Sequence, residues 1–551
     1  MELVIKITGP AWLWMNSTAD IISGIFSELW YHVAGDNEYQ SLIKWWFNWF
    51  DLNISSDRVA ISKTTDVVIA FNAANLENVL PSLKKGGYIV VNKKFSDKLA
   101  WKLDDYVVLD RDIVDKYDNT YLLAMLSKLL GLEQQLILDK VGHVFWKKSE
   151  ILAKMNQKIV SDIYADFEVP VSNLATVEKI WEPRKITYWN KAFAYGAMDG
   201  ELEYYSAYPM TPASTILSEV VNSGKVTFLQ AEDEIAVANS VLWASFTGKR
   251  AMCGTSGGWF ALMTEALSFA IQAEIPAVVA FSQRAGPSTG TPTFHEAGDI
   301  NFALNPTFGD FNHVVMTPSS LEEAYYYGCL ALNIAQKYQM IVIVLLDKQS
   351  SEFHGTIWEE KIPEVDRGKL EKNPKPDYKR YAFSDDNISP YTTVWTKDGD
   401  FIATSYEHDE YGATTEESEM KMKMNIKRFH KLDNFFEKEG YRGYEVINPD
   451  AKKMFICNSF TSYNVKDFIK HNPEYGLIII KFLKPLDEKL TDEVTGKDEI
   501  IFLESNYSGQ MEKYICNELG WRFIDGLTIS HKRKHDLYPF YMEDFDEFKT
   551  K

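Results

Sequence analysis

The residues of this chain whose types and spacing could do chemistry lie between Tyr208 and Asp299. Three successive acids, Glu232, Asp233 and Glu234, precede the apolar run Ile235, Ala236 and Val237. Acids in a first helical turn complement the helix dipole, so helix stability alone explains part of the cluster. A carboxyl in that place, half buried by the apolar residues after it, has its neutral form favoured. It is then suited to share a proton with a heterocyclic nitrogen. Arg284 closes the apolar run AVVAFSQ ahead of a loop rich in Gly, Pro, Ser and Thr. A guanidinium there can hold a carboxylate through a bidentate pair; on the residues alone, a salt bridge at an interface fits equally well. Thr211 lies between Pro209 and Pro212, whose restricted backbone fixes the direction of its hydroxyl.

Positioning these groups needs an open α/β sheet. YPMTPAST, FLQAEDEIAVANSVLWASFTGKRAMCGTSGGWF and VVAFSQRAGPSTGTPTFHEAGD are polar, turn-rich segments separated by apolar runs of strand or helix length. In such sheets ligands bind where loops leave the carboxyl ends of the strands. The pattern predicts three parallel-sheet α/β modules. The first, residues 1–175, alternates the strands ELVIKIT, DVVIAF and GYIVVN with helices over 16–32 and NAANLENVLPSLKKG, and ends in a less patterned connector. The second, 176–360, runs from NKAFAYGAMDG to IVIVLLD and carries the candidate site. Residues 361–430 read as a linker rich in Lys, Pro and Asp plus a charged helix with a solvated face. The last module, 431–551, contains KMFICNSF, GLIIIKFLKPL and EIIFLESNYSG.

At 551 residues with 46% apolar content, the chain has material for several cores. A net charge of −20, from 58 basic and 78 acidic residues, argues against nucleic acid or an anionic membrane as partner. Cys253, Cys329, Cys457 and Cys516 are far apart and form no CxxC pair, which argues against a disulfide framework or an Fe–S site within this chain. His295 and His408 have no second ligand at metal spacing. MELVIKITGP reads as a strand and a turn rather than a signal peptide, and MIVIVLL is far short of a membrane span, so a soluble cytoplasmic protein is expected. No Walker loop, G-x-S-x-G or GDG motif occurs.

Together, YPMTPAST, QAEDEIAVANSV, GTSGG and QRAGPSTGTPT resemble the α subunit of 2-oxoacid:ferredoxin oxidoreductases, nearest to the 2-oxoglutarate type. YEHDEYG and ESNYSGQ look like later motifs of that family, and the N-terminal module, with EYQSLIK, is similar to its γ domain fused ahead of α. The resemblance implies a pyrimidine-binding domain for thiamine diphosphate and a C-terminal domain like that of transketolase. It places the catalytic glutamate at Glu234 and the substrate carboxylate at Thr211 and Arg284, with Pro209, Thr255 and Ser256 beside the cofactor. The diphosphate, Mg²⁺ and [4Fe–4S] sites would belong to a β subunit in an (αβ)₂ assembly, consistent with the missing GDG motif. The implied reaction converts a 2-oxoacid and coenzyme A to an acyl-CoA and CO₂, with electrons passed to ferredoxin. Pyruvate or a branched-chain or aryl 2-oxoacid is the alternative substrate, and a non-catalytic assembly subunit the alternative role.

One residue type departs from the family. GPAWLWM puts Trp12 and Trp14, and IKWWFNWF puts Trp45 and Trp46, where the resemblance leads one to expect glycine-rich segments; Trp189, Trp243 and Trp259 also stand at positions that resemble family glycines. Such loops need positive φ or close backbone approach, which tryptophan blocks. Glycine is scarce, 30 of 551 residues against an average of about 7%, and restoring most of the 15 tryptophans brings the share to that average. The reading expected here is that UGA codes for glycine in the source; the alternative is a set of genuine aromatic replacements that seal an interface. Peptide mass spectrometry of the native protein should find glycine at 12, 14, 45 and 46, and tryptophan at those positions would sink the recoding.

Overall fold

The computed structural model describes residues 3–9, 15–39, 48–55, 61–146, 149–170 and 184–549. Trp12, Trp14, Trp45 and Trp46 therefore lie outside the described residues. The chain forms two compact units. One comprises Met1–Thr187 with Phe353–Trp358 and Tyr541–Lys551, the other Tyr188–Glu352 with Glu359–Phe540. No helix among the described residues is long and apolar enough to cross a membrane.

The first unit holds an eight-stranded sheet. Leu3–Gly9, Thr65–Ala70, Leu83–Asn92 and Val107–Arg111 pair in parallel, as their continuous apolar runs predict. The remainder of the sheet is not parallel: Asn48–Ser55 runs antiparallel to both Leu3–Gly9 and His32–Tyr39, and His354–Ile357 adds antiparallel to His32–Tyr39. These strands escape a periodicity reading because their buried positions include Asp36, Glu38, Asp51 and Asn53. A buried ion pair marks the register, since Lys6 sits directly opposite Asp51 and the two charges are 2.5 Å apart. The segment read as an unpatterned connector contains the helix Glu150–Asp166, which buries Ala153, Ile159, Val160 and Ile163.

The second unit contains both remaining sheets. The larger runs in the order Phe482–Lys484, Val314–Met316, Ile341–Asp347, Ala277–Gln283, Ala251–Ser256, Tyr204–Ala207, Thr227–Gln230, parallel except for its first member. Phe482–Lys484 comes from the C-terminal third of the chain, and Val279 and Ile343 share one apolar core with Ile456, Ile478 and Phe502 of the five-stranded sheet. Helices Trp189–Asp199 and Leu321–Tyr338 touch backbone to backbone: a Cβ on Gly328 would lie 2.4 Å from the Phe193 carbonyl oxygen, so only glycine fits there.

Residues 361–417 lack helices and long strands but are not a free linker. Tyr381, Ile388, Tyr391 and the Arg380 side chain are buried. The charged helix Ser418–Phe429 also differs from expectation, because its last turn and the residues after it bring Lys427 and Lys431 inward. Both lysines lie 2.6 Å from the Glu274 carboxylate, all three groups being at most 2% exposed, and Arg380 donates to the Glu274 carbonyl at 2.9 Å. Burial alone would raise the Glu274 pKa; Lys427, Lys431 and Arg380 override it and hold the carboxyl well below the usual range. Burial pulls Lys431 down to about 7 despite that same carboxylate. The cluster lies immediately before strand Ala277–Gln283 and so anchors the end opposite Arg284. Glu274→Gln leaves buried ammonium groups without their counter-charge and should cost about 3–5 kcal/mol in urea unfolding. A loss below about 1 kcal/mol, as for a surface pair, would show the cluster to be solvated.

Candidate active site

The site is assembled where the parallel strands end. Gly254 pairs with Ala207, Ser256 with Ser282, and Gln283 with Asp347, so the loops after these strands open at one edge of the sheet. Glu234 begins the helix Glu234–Phe246 just beyond the edge strand Thr227–Gln230. Asp233 is extended (φ −161°), and its carboxylate accepts from the Ala236 N–H at 2.8 Å, which caps the helix. Capping by Asp233 turns Glu234 inward: it is 1% exposed, while its neighbour Ile235 is 50% exposed. Glu234 Oε1 has no hydrogen-bond partner among the described residues. Burial raises the Glu234 pKa; its own backbone N–H pulls the other way, Asp233 adds to the rise, and Arg284 opposes it. The result is a dry, protonatable acid with one oxygen open.

Arg284 follows strand Ala277–Gln283 and is 4% exposed. Its Nη1 donates to the Thr211 carbonyl at 2.8 Å, whereas its Nε has no hydrogen-bond partner among the described residues. Gly257, at φ +57°, gives the guanidinium its room, since a Cβ there would stand 3.1 Å from Arg284 Nε. The structure thus joins Thr211 to Arg284 through the Thr211 backbone carbonyl. Thr255 and Ser256 are fully buried at the end of the neighbouring strand, with hydroxyls that make no hydrogen bond among the described residues. Pro209 is exposed in the loop that carries Thr211. Trp259 follows Ser256 in the short helix Gly257–Met263 and is 38% exposed, and Trp243 is 68% exposed. Trp189 is fully buried with its ring 5.8 Å from that of Tyr463, and its indole N–H has no hydrogen-bond partner among the described residues.

Sequence reasoning missed Gln283, Glu296 and Asp299. Gln283 accepts from the Asp299 N–H at 2.9 Å, which folds the 285–299 loop back over the strand end. Burial raises the Asp299 carboxyl to about 6, with Glu296 pushing the same way and Arg284 pulling back. The available signal was two acids three residues apart in a loop that directly follows an arginine. A cavity of about 920 Å³ opens beside the same helix, against Ile235, Leu262, Phe308 and Arg428; none of the six residues singled out from the sequence lines it.

The sequence and the fold have counterparts in known proteins. Residues 195–428 match the family model "Pyruvate flavodoxin/ferredoxin oxidoreductase, thiamine diP-bdg", and residues 15–165 match "Pyruvate ferredoxin/flavodoxin oxidoreductase". The 2-oxoacid:ferredoxin oxidoreductase α subunit of Saccharolobus solfataricus is 29% identical over 93% of this chain and 92% of its own length. The 2-oxoglutarate synthase subunit KorA of Methanocaldococcus jannaschii is 33% identical over 57% of this chain and 86% of its own. Among solved structures, the 2-oxoglutarate:ferredoxin oxidoreductase of Magnetococcus marinus, with 2-oxoglutarate, coenzyme A and succinyl-CoA bound, superposes with a TM-score of 0.90. It is 26% identical and covers 99% of this chain and 98% of its own.

The Asp299 carboxyl gives a test with a defined sign. Its folded pKa, about 6, lies above the ordinary carboxylate value, so folding favours its protonated form. Ionisation therefore costs stability as pH rises through about 6, and that cost is absent near pH 4. Asp299→Asn should raise the melting temperature at pH 8, and the gain should vanish by pH 4. A pH-independent difference would show that Asp299 is solvated.

Proposed function

The chain belongs to the 2-oxoacid:ferredoxin oxidoreductases as an α subunit, and on that premise we propose that it oxidatively decarboxylates 2-oxoglutarate to its acyl-CoA in concert with a β subunit. The observation that carries the site assignment is the pairing of a buried acid with one unpartnered oxygen, Glu234, and a buried guanidinium, Arg284, within electrostatic reach of each other.

The residues fit an aminopyrimidine. A neutral heterocycle entering a dry pocket needs hydrogen-bonding partners that the protein has not already used. Glu234 Oε1, Thr255 Oγ1 and Ser256 Oγ are buried and have no hydrogen-bond partner among the described residues. Thiamine diphosphate, when bound, supplies the nucleophilic carbon and the electron sink that decarboxylation of a 2-oxoacid requires. Glu234 would hold and return a proton at a ring nitrogen of the cofactor, a task its raised pKa suits. Arg284, held in place by the Thr211 carbonyl, would pair with the substrate carboxylate, replacing the solvation that burial denies the guanidinium. Pro209, in the exposed loop that carries Thr211, would form the lip of the pocket.

We assign the diphosphate, Mg²⁺ and [4Fe–4S] sites to the β subunit. Ferredoxin would accept the electrons, and coenzyme A the acyl group. The four cysteines of this chain support that division, because all are buried and burial disfavours the thiolate a cluster needs. It pushes Cys253 up to about 12 and Cys516 to about 11. The similarity to 2-oxoglutarate enzymes supports that substrate over pyruvate.

Glu234→Gln, reconstituted with the β subunit, should reduce a viologen dye about 10²–10⁴ times more slowly with 2-oxoacid and coenzyme A, the range for loss of a general acid–base group. Unchanged kcat would refute the role of Glu234. Across a panel of 2-oxoacids, 2-oxoglutarate should give the highest kcat/KM; a higher value for pyruvate or a branched-chain acid would overturn the substrate.

A further inference from the structure

Two tryptophans that no sequence motif singles out adopt backbone conformations that bulky side chains avoid. Trp30 has φ +69° and Trp395 φ +71°, in the left-handed region where a Cβ crowds the following carbonyl. Trp30 follows the helix Met15–Glu28. Its N–H donates to the Ser27 carbonyl, and that of Tyr31 donates to Phe26, both at 3.0 Å. This pair of bonds closes a helix around one left-handed residue, usually glycine. The same unit contains the motif with glycine in place: Gly131, also at φ +69°, donates to Lys128, and Leu132 donates to Ser127. The two helix ends have the same bonds and the same φ, but one carries the smallest residue and the other the largest.

Trp395 is in a different setting. The Thr396 N–H donates to the Thr393 carbonyl at 3.1 Å, which makes Trp395 the third residue of a four-residue turn. Positive φ at that position selects glycine or asparagine.

The backbone alone does not compel glycine, because Glu201 and Glu274 close helices in the same way. Exposure separates the cases. Glu274 is anchored by two lysines, and a carboxylate in water costs nothing. An indole is stabilised chiefly by burial, yet Trp395 is 95% exposed and Trp30 36%. Trp101, Trp146, Trp243 and Trp358 are also more than half exposed. Trp521 is the opposite case: it is fully buried, packs 6.2 Å from the Phe502 ring, and donates its indole N–H to Thr491 at 3.2 Å.

We propose that positions 30 and 395 are glycine in the native protein, their codons being UGA read as glycine, and that Trp521 is a true tryptophan. The proposal stands on backbone conformation and burial and is independent of the catalytic assignment.

Three measurements test it. The gene should carry UGA at codons 30 and 395 and UGG at codon 521; UGG at 30 or 395 overturns the proposal. Peptide mass spectrometry of the protein from its own cells should find glycine at 30 and 395 and tryptophan at 521. Tryptophan at either of the first two overturns it, and glycine at 521 overturns the assignment of that residue. In the full-length protein made from the sequence as it stands, Trp30→Gly and Trp395→Gly should each raise the melting temperature by about 2–4 °C, the scale of relieving one strained residue in a domain of this size. A fall in both would show that the indoles are stabilising where they stand.

Discussion

On the proposed assignment Glu234 trades a proton with a neutral heterocycle, which requires the carboxyl to be kept dry, and its burial is the constraint on which the site depends. Water at the start of the helix would restore the ordinary carboxylate pKa and leave an ionised side chain. Asp233 prevents this by occupying the capping position itself, so that Glu234 points inward while the helix keeps its terminal hydrogen bond. Two adjacent acids thus face different ways, Asp233 capping the helix and Glu234 turned into the interior, from a single change of backbone direction at the cap.

Strand Ala277–Gln283 connects that acid to the rest of the unit. Its carboxyl end delivers Arg284, and its amino end follows the Glu274 cluster with Lys427, Lys431 and Arg380. A desolvated guanidinium is costly unless its geometry is over-determined. Here the Thr211 carbonyl, the space left by Gly257 and the loop folded back by Gln283 each restrict it. The five-stranded sheet adds to this rigidity, because Phe482–Lys484 extends the central sheet and the two share one apolar core.

The spread of raised carboxyl pKa values around Arg284 has a common origin. Burial is the largest cause for Glu234, Glu296 and Asp299 alike. On the proposed assignment Arg284 meets an anionic substrate beside acids whose neutral forms burial favours. The same acids, fully ionised, would repel it.

The features legible in the sequence were those set by near neighbours in the chain. The apolar runs AVVAFSQ and IVIVLLD, the cap ahead of Ile235 and the polar loops after each strand determined the α/β class, the start of the helix Glu234–Phe246 and the sheet edge at which the candidate residues gather. Tertiary structure alone decided which distant groups meet. The Arg284 contact with Thr211 spans 73 residues, and the Lys427 contact with Glu274 spans 153. Charged residues on a helix read as solvated until something folds a partner against them, which is why Lys427 and Lys431 were misread. The antiparallel half of the first sheet was hidden in the same way, since Asp36 and Asp51 are polar in sequence and buried only because the paired strands enclose them. Periodicity and capping are local properties, whereas burial of a charge depends on what the rest of the chain places around it.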